Sequence, residues 1–325
     1  MAKIEFDHVV KRYSGTNQAA VDDVSFTVAE GTLSMFLGTS GSGKTTLLRM
    51  VNRLIDPTAG QILINGTPTT AQDPIALRRS IGYVIQQIGL FPHLTIAENV
   101  RVVPSILGQS AQQTTGRVDE LLQLVGLEPK EYRNRFPRQL SGGQQQRVGL
   151  ARALAADPEV LLMDEPFGAL DAITRERMQD ELHRIQRDVH KTILFVTHDV
   201  AEALKLGDQI AIMSEGRLVQ VGSPTELLMH PATDFVARLL GADNVLHLYE
   251  NIPVTALMEP LTATASDQIP ASASVLQAMV QLVQSGQSVL AVEQGGATVG
   301  QITLATISQH IRSSTATVSK ATVAV

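Results

Sequence analysis

Eight consecutive residues, GTSGSGKT from Gly38 to Thr45, follow the GxxxxGK[ST] pattern of a phosphate-binding loop. Glycines let main-chain N–H groups approach an anion closely, and the Lys44 ammonium can reach the β and γ phosphates of a nucleotide. The Thr45 hydroxyl is a suitable ligand for Mg2+. The residues predicted to contact the nucleotide here are Gly38, Thr39, Ser40, Gly41, Ser42, Gly43, Lys44, Thr45 and Thr46.

Two adjacent acids, Asp164 and Glu165, follow the apolar run VLLM. Ligands of α/β sheets bind beyond the carboxyl ends of the strands, where such acids would stand. On its own the pair could simply cap the next helix. Downstream of a phosphate-binding loop, Asp164 is instead predicted to hold Mg2+, and Glu165 to orient or deprotonate the attacking water.

A third motif, LSGGQQQRVGLARAL from Leu140 to Leu154, opens a predicted helix with two glycines. Ser141 and Gln144 have the spacing of an ordinary capping box. That leaves Gly142 and Gly143 unexplained, since each weakens an interior helical position by about 1 kcal/mol relative to alanine. A helix start without Cβ atoms lets an anion approach its N–H groups, so we predict a second anion site here.

The elements that must position these motifs alternate between strand and helix, as in an α/β core. Strand patterns come first at IEFDHVV, VSFTVAEG, LSMFLG and QILING. The helical pattern between residues 95 and 156 reads as an insert. Strand patterns then return at VLLMDEP, TILFVTHD and QIAIMSEG, the first two separated by a long charged helix from Asp171 to His190.

Composition limits the class of protein. The chain has 325 residues and a formal charge of −6, which argues against nucleic acid as the main partner. No apolar run approaches the roughly 20 residues of a membrane helix, and MAKIEFDHVV resembles neither a signal nor a transit peptide. The absence of cysteine agrees with a cytosolic location and excludes thiolate metal sites.

The order of the motifs, with LSGGQ between the phosphate-binding loop and the acidic strand, resembles the nucleotide-binding subunit of an ATP-binding cassette (ABC) transporter over about residues 1–240. The resemblance implies an α/β fold: a P-loop NTPase core with an N-terminal antiparallel β subdomain and an inserted helical signature subdomain. It also implies an ATPase that uses Mg2+ and works as a homodimer, because this signature contacts the γ phosphate of an ATP held by the opposite subunit. The signature residues implied to bind nucleotide are Ser141, Gly142, Gly143 and Gln144.

Four further residues acquire a role from the resemblance. Tyr13 matches the aromatic residue that stacks on adenine, although a tyrosine at a strand end can also simply pack. Gln86 matches the glutamine that contacts Mg2+ and water, with Gln87 beside it as the alternative. Asp171 matches an acid through which the two subunits communicate, and His198 matches a histidine placed against the γ phosphate.

These assignments together predict a complete hydrolytic site. The predicted catalytic residues are Lys44, Glu165 and His198. The predicted Mg2+ ligands are Thr45, Gln86 and Asp164. Tyr13, Gln86 and Asp171 join the nucleotide-binding residues.

The kind of transporter is suggested by likeness alone. A chain without fused membrane helices resembles the ATPase subunits of importers, whose permease is a separate chain. This resemblance implies a peripheral location on the cytoplasmic face of the inner membrane. The segment QQIGLFPHLTIAENV resembles the group that takes up quaternary amines such as glycine betaine and choline. Through the permease, a substrate-binding protein is a further expected partner. Importers for polar amino acids or other substrates remain open.

An ATPase of this class that acts on DNA is the alternative of a different kind. Such ATPases resemble this chain in their motifs but carry coiled coils or zinc modules between the phosphate-binding loop and the signature. Here that interval has no heptads and no cysteine, which disfavours this alternative.

The composition changes near Gly241, where we predict a domain boundary. Residues 241–312 read as a strand near VTALM, a helix SVLQAMVQLVQSG, strands SVLAVEQ and TVGQITL, and a helix ATISQHI. This α+β order resembles one cystathionine-β-synthase (CBS) module, although such modules work in pairs. Two subunits could complete a pair, or the module could be a dimerisation domain without a ligand. Residues 313–325 are predicted to be disordered.

Overall fold

The computed structural model describes residues 2–15, 18–86, 89–168, 170–241, 249–250, 252–261, 267–307 and 309–310. Gln87, the alternative to Gln86, and the predicted disordered tail lie outside these ranges. The chain divides into two units, Met1–Val221 and Gly222–Val325. The boundary predicted near Gly241 falls within the second unit, and the domain ranges stay predictions.

Strands and helices of the described residues alternate through most of the chain. The strands are β1 (Ile4–Lys11), β2 (Val21–Val28), β3 (Leu33–Gly38), β4 (Ala59–Ile64), β5 (Thr67–Pro68), β6 (Ile81–Val84), β7 (Val160–Asp164), β8 (Thr192–Thr197), β9 (Gln209–Ser214), β10 (Arg217–Gly222), β11 (Gln268–Pro270), β12 (Val289–Gln294) and β13 (Ala297–Thr303). The helices are α1 (Lys44–Val51), α2 (Pro74–Ser80), α3 (Ile96–Ile106), α4 (Ala111–Leu124), α5 (Pro129–Tyr132), α6 (Gly142–Leu154), α7 (Ala172–Val189), α8 (Val200–Leu206), α9 (Pro224–Met229), α10 (Asp234–Leu240) and α11 (Val275–Ser285).

A six-stranded sheet in the order β10-β9-β3-β8-β7-β6 forms the centre of the first unit. Every residue of β3, β7 and β8 is buried, as expected for parallel strands covered on both faces. Leu37 pairs with Thr197, and Asp164 pairs with Val196, so these three strands end side by side. The loops that follow them therefore emerge at one edge of the sheet.

A second sheet in the order β2-β1-β4-β5 is antiparallel, as the family resemblance implies. Phe6 and Phe26 stack with ring centroids 4.6 Å apart, and Phe36 of β3 meets both rings at an edge. This cluster joins the two sheets in one apolar core. The strand β1 belongs to this core and ends at Lys11, two residues before Tyr13. It therefore fixes the start of the segment that carries Tyr13.

Helices α3, α4, α5 and α6 occupy the segment that reads as a helical insert in the sequence. Capping boxes begin three of them, at Thr95, Ser110 and Ser141. The helices α3, α4 and α6 pack on one another, and α6 also contacts β6. This packing places the start of α6, where the signature lies, at a fixed point of the first unit.

The second unit contains α9, α10, α11 and a three-stranded sheet in the order β11-β12-β13. The strand predicted near VTALM is wrong: Val254–Ala256 form a single 3-10 turn after Pro253. Only Val254 is buried there, so the segment lacks the alternation that a strand in a half-buried sheet requires. The strand β11 pairs with β12 in parallel instead. Among the described residues, no helix has the length and apolarity needed to cross a bilayer.

Candidate active site

The loop after β3 is shaped by glycines at two crowded positions. Gly38 (φ 156°) leaves no space for a Cβ, which would overlap the main-chain oxygen of Met213. Gly43 (φ 100°) is confined in the same way by the main-chain oxygen of Ala20. Gly43 offers no side-chain cap to α1, so the N–H groups at the start of α1 are left for a ligand to bind.

Lys44 is the first residue of α1 and is only 5% exposed. Its ammonium donates to the main-chain oxygens of Gly38 and Thr39, both at 2.8 Å, and to the Ser42 hydroxyl at 3.2 Å. Burial lowers the pKa of Lys44, while the charges of Glu165 and Asp164 act in the opposite direction. All three N–H groups of the ammonium thus donate hydrogen bonds to residues of the phosphate-binding motif.

Thr45 and Asp164 meet at the edge of the sheet where β3, β8 and β7 end. The Thr45 hydroxyl donates to Asp164 Oδ1 at 2.8 Å, and Arg49 Nη2 lies 3.4 Å from Asp164 Oδ2. The carboxylate is buried, so its charge needs these partners. A hydroxyl and a carboxylate oxygen this close together are the donors that Mg2+ prefers, and the two residues therefore fit the predicted ion.

Glu165 lies between two other predicted site residues. Its Oε1 is 3.2 Å from His198 Nδ1, and its Oε2 accepts from Gln86 Nε2 at 3.3 Å. The main chain of Glu165 has φ 43°, a left-handed conformation that costs on the order of 1–3 kcal/mol in a residue other than glycine. The Glu165 N–H donates to the oxygen of Val196 at 3.0 Å, which holds it there. The structure thus fixes this carboxylate at the sheet edge.

Tyr13 lines the same cleft as the phosphate-binding loop. This cleft of about 540 Å3 also includes Thr39, Ser40, Gly41 and Ser42. Tyr13 is 42% exposed, and Lys11 Nζ lies 5.3 Å from the centroid of its ring. An exposed aromatic face beside a phosphate-binding loop is the arrangement expected for a base that stacks.

The two glycines of the signature differ in their surroundings. A Cβ on Gly142 would meet nothing within 4 Å, whereas a Cβ on Gly143 would lie 2.7 Å from Thr174 Cγ2 of α7. Gly143 therefore has a packing reason within its own chain, and Gly142 alone faces open space. Ser141 Oγ accepts from Gln144 N, and Ser141 N donates to Gln144 Oε1, which closes the predicted capping box.

Asp171 is the N-cap of α7, where its carboxylate accepts from Thr174 N at 3.0 Å. Hydrogen bonds from the main chain and side chain of Thr174 lower the pKa of Asp171. Asp171 therefore stabilises the start of its own helix, in addition to its predicted role between subunits.

Sequence reasoning missed Arg49 and Arg175. Each follows a predicted site residue by four positions on a helix, Arg49 after Thr45 and Arg175 after Asp171. Residues at this spacing lie on one face of a helix, and that signal was present in the sequence.

A phosphate-binding loop that ends beside two acids at the edge of a parallel sheet defines a P-loop nucleotide hydrolase. A family model described as ABC transporter matches residues 21–168. The carnitine transport ATP-binding protein OpuCA of Listeria monocytogenes is 44% identical over 96% of this chain and 78% of that protein. The choline transport ATP-binding protein OpuBA of Bacillus subtilis is 49% identical over 81% of this chain and 69% of that protein.

A dimeric solved structure of the ATP-binding cassette MJ0796 bound to ADP and Pi has 35% identity and a TM-score of 0.61, covering 68% of this chain and 98% of that one. The chain therefore belongs to the ATP-binding proteins of ABC transporters, and it is an ATPase.

Proposed function

We propose that this ATPase energises an importer of quaternary-amine osmoprotectants such as glycine betaine or choline. The observation that carries the proposal is its likeness to two relatives named for carnitine and choline transport. Both compounds contain a quaternary ammonium group. The match to the carnitine relative spans 96% of this chain, so it extends into the second unit. An importer for another substrate, such as a polar amino acid, is the second candidate.

Hydrolysis is assigned to the residues at the sheet edge. Glu165 accepts a proton from the water that attacks the γ phosphorus, while the bond from that phosphorus to the bridging oxygen breaks. His198 and Gln86 hold the Glu165 carboxylate from two sides, at 3.2 Å and 3.3 Å. Lys44 binds the β and γ phosphates, and Tyr13 stacks on the base. Thr45 and Asp164 would hold Mg2+, which would neutralise charge that develops on the phosphates.

The proposed assembly is a homodimer of this chain with membrane permease subunits, at the cytoplasmic face of the inner membrane. A substrate-binding protein delivers the substrate through the permease. The dimeric cassette MJ0796 supports the homodimer. In the proposed homodimer, Gly142 of each subunit faces the nucleotide of the other.

Transport in vesicles tests the substrate class. The chain is co-purified with its permease and reconstituted into proteoliposomes, with ATP on the side of this subunit. Uptake of radiolabelled choline and glycine betaine is expected, and a complex carrying Lys44→Ala serves as the inactive control. Uptake of a labelled polar amino acid without uptake of either quaternary amine would favour the second candidate.

For the second unit we propose a regulatory CBS-like module over residues 241–312. The sheet β11-β12-β13 and the helix α11 support this reading. Removal of residues 241–325 is expected to leave ATP hydrolysis intact and to change the response of transport to ionic strength. An unchanged response would favour a dimerisation domain without a ligand.

A further inference from the structure

Arg175 contacts the loop that leads into its own helix. It lies in the first turn of α7, and its Nη2 donates to the main-chain oxygen of Leu170 at 3.2 Å. Leu170 directly precedes Asp171, the predicted contact between subunits. The guanidinium thus fixes the main chain at the start of α7.

The other side of the same guanidinium reaches a different loop. Arg175 Nη1 lies 3.4 Å from Asp199 Oδ2. The second oxygen of Asp199 caps α8 by accepting from Glu202 N at 3.1 Å. Asp199 directly follows His198, whose Nδ1 lies 3.2 Å from Glu165. The position of Asp199 therefore determines where the chain places His198.

We propose that Arg175 is a positioning residue for hydrolysis, which joins the segment Leu170–Asp171 to the segment His198–Asp199. Through this link, a shift at the segment that faces the opposite subunit moves His198 relative to Glu165. The inference rests on the proposed roles of Glu165 and His198.

Two further observations support a role beyond stability. Arg175 Nε is buried and has no hydrogen-bond partner among the described residues. A buried donor without a partner costs free energy, so stability alone does not account for the guanidinium at this position. Arg175 also lines one small cavity, of about 40 Å3, together with Glu165 and His198. Arg175 thus borders the same cavity as the two predicted catalytic residues Glu165 and His198.

The geometry requires an arginine. A planar guanidinium presents donors in a fixed fork and can bind two acceptors at once. A lysine at position 175 has a single ammonium on a flexible stem, which cannot hold the Leu170 oxygen and the Asp199 carboxylate in the same relation. Arg175→Lys therefore separates the positive charge from the link between the two loops.

A double-mutant cycle on ATP hydrolysis tests the link, with the full-length chain. Arg175→Met removes one end, and Asp199→Asn removes the charge at the other end while it keeps a good N-cap for α8. Each single variant is expected to lower kcat about 10-fold, with the KM for ATP changed by less than about 2-fold. The double variant is expected to be no slower than the slower single variant, since both break the same link.

The pair Lys205–Asp180 provides a matched control. Its 2.8 Å ion pair also joins α8 to α7, but neither residue belongs to the two site loops or lines the cavity beside Glu165 and His198. Lys205→Met and Asp180→Asn are expected to leave kcat within about 2-fold of the native value. Equal losses of kcat in both pairs would show that Arg175 only holds α7 and α8 together, and this result would overturn the proposal.

Thermal unfolding separates positioning from folding. Arg175→Lys is expected to restore the melting temperature lost in Arg175→Met but not its kcat. The proposal is overturned if Arg175→Lys restores both, or if the effects of Arg175→Met and Asp199→Asn on kcat multiply. Glu165→Gln in the same assay separates failure of the proposed site from failure of the link. Native turnover in Glu165→Gln would refute the proposed site. If Glu165→Gln is inactive but the effects of Arg175→Met and Asp199→Asn multiply, only the link is refuted.

Discussion

Glu165 is the residue on which hydrolysis is expected to depend most. Glu165→Gln keeps the shape of the side chain and its contact distance to Gln86, but it removes the base. We expect ATP binding to be preserved and turnover to fall by about 10²-fold or more, as is typical for the loss of a general base. Steady-state hydrolysis and equilibrium ATP binding measure the two effects.

Size-exclusion chromatography gives an independent check on Glu165. A variant that binds ATP without hydrolysing it should accumulate as an ATP-bound dimer, while Lys44→Ala should stay in its ATP-free form. Native hydrolysis by Glu165→Gln would remove this residue from the mechanism.

Glu202 gives a pH dependence of stability. Burial raises the pKa of this carboxyl group, which is 5% exposed and accepts from Gln179 Nε2 at 3.2 Å. At a pH between the ordinary and the raised pKa, the Glu202 carboxyl is ionised in the unfolded chain and neutral in the folded chain. The free energy of unfolding therefore falls as pH rises through this window. Glu202→Gln removes that loss. Its melting temperature should therefore exceed the native value more at about pH 7 than at about pH 4.

Glu98 is the control of opposite sign. Hydrogen bonds from the main chain and side chain of Thr95 lower its pKa, so its contribution to stability is present above its ordinary pKa and is lost as pH falls. Glu98→Gln should thus lower the melting temperature at about pH 7 and have little effect at low pH. Parallel pH profiles for native protein and Glu202→Gln would contradict the expected role of Glu202.

At the scale of elements, α6 and α7 meet through Gly143 and Thr174. Gly143→Ala places a Cβ against Thr174 Cγ2, and we expect it to lower the free energy of unfolding by about 1–3 kcal/mol. Thr174→Ser removes that methyl group, so the double variant should recover part of the loss. Urea unfolding measures both changes.

Gly142→Ala is the matched control for this contact. Its Cβ enters open space, and alanine favours a helix over glycine, so stability should be unchanged or slightly raised. Equal losses in Gly142→Ala and Gly143→Ala would show that the packing against Thr174 does not explain Gly143.

Elements with strong local signals agree with their prediction from the sequence. The helix predicted from Asp171 to His190 is α7, with Asp171 as its N-cap and His190 as a left-handed C-cap. The strand pattern TILFVTHD becomes β8, which ends at Thr197. In both cases the residues that begin or end the element carry the information themselves.

Tertiary contacts account for what the sequence could not predict. The packing role of Gly143 could not be predicted, because its neighbour Thr174 is 31 residues away in the chain and no local pattern joins them. The sequence likewise does not predict the two contacts of the Lys44 ammonium with main-chain oxygens, because every residue type carries the same main-chain oxygen. The order of the strands in the large sheet depends on pairings of the same kind.

At the scale of the whole assembly, two damaged subunits should complement each other. Lys44→Ala disables the phosphate-binding loop, and Ser141→Arg fills the space in front of Gly142. Each homodimer has two damaged sites. If the signature serves the opposite subunit's nucleotide, a heterodimer of the two variants has one site with both lesions and one intact site. Trapping of nucleotide with vanadate should therefore reappear on mixing, and it measures a single site better than steady-state turnover does.

Formation of the heterodimer must be shown in the same sample, by two different affinity tags. If the signature served its own chain's nucleotide, each site would still carry one lesion. Trapping at the homodimer background, with heterodimers present, would refute the role of Gly142 between subunits.

The three hydrogen bonds of the Lys44 ammonium also bear on how a catalytic cycle ends. When phosphate departs, the oxygens of Gly38, Thr39 and Ser42 stand ready to accept the ammonium donors. A buried charge left without partners would oppose that departure by more than the roughly 1–3 kcal/mol of a neutral group. If Lys44 binds the phosphates as proposed, its ammonium exchanges phosphate oxygens for the oxygens of the loop on release, which avoids this cost. The same three oxygens that hold Lys44 in this structure would therefore ease product release.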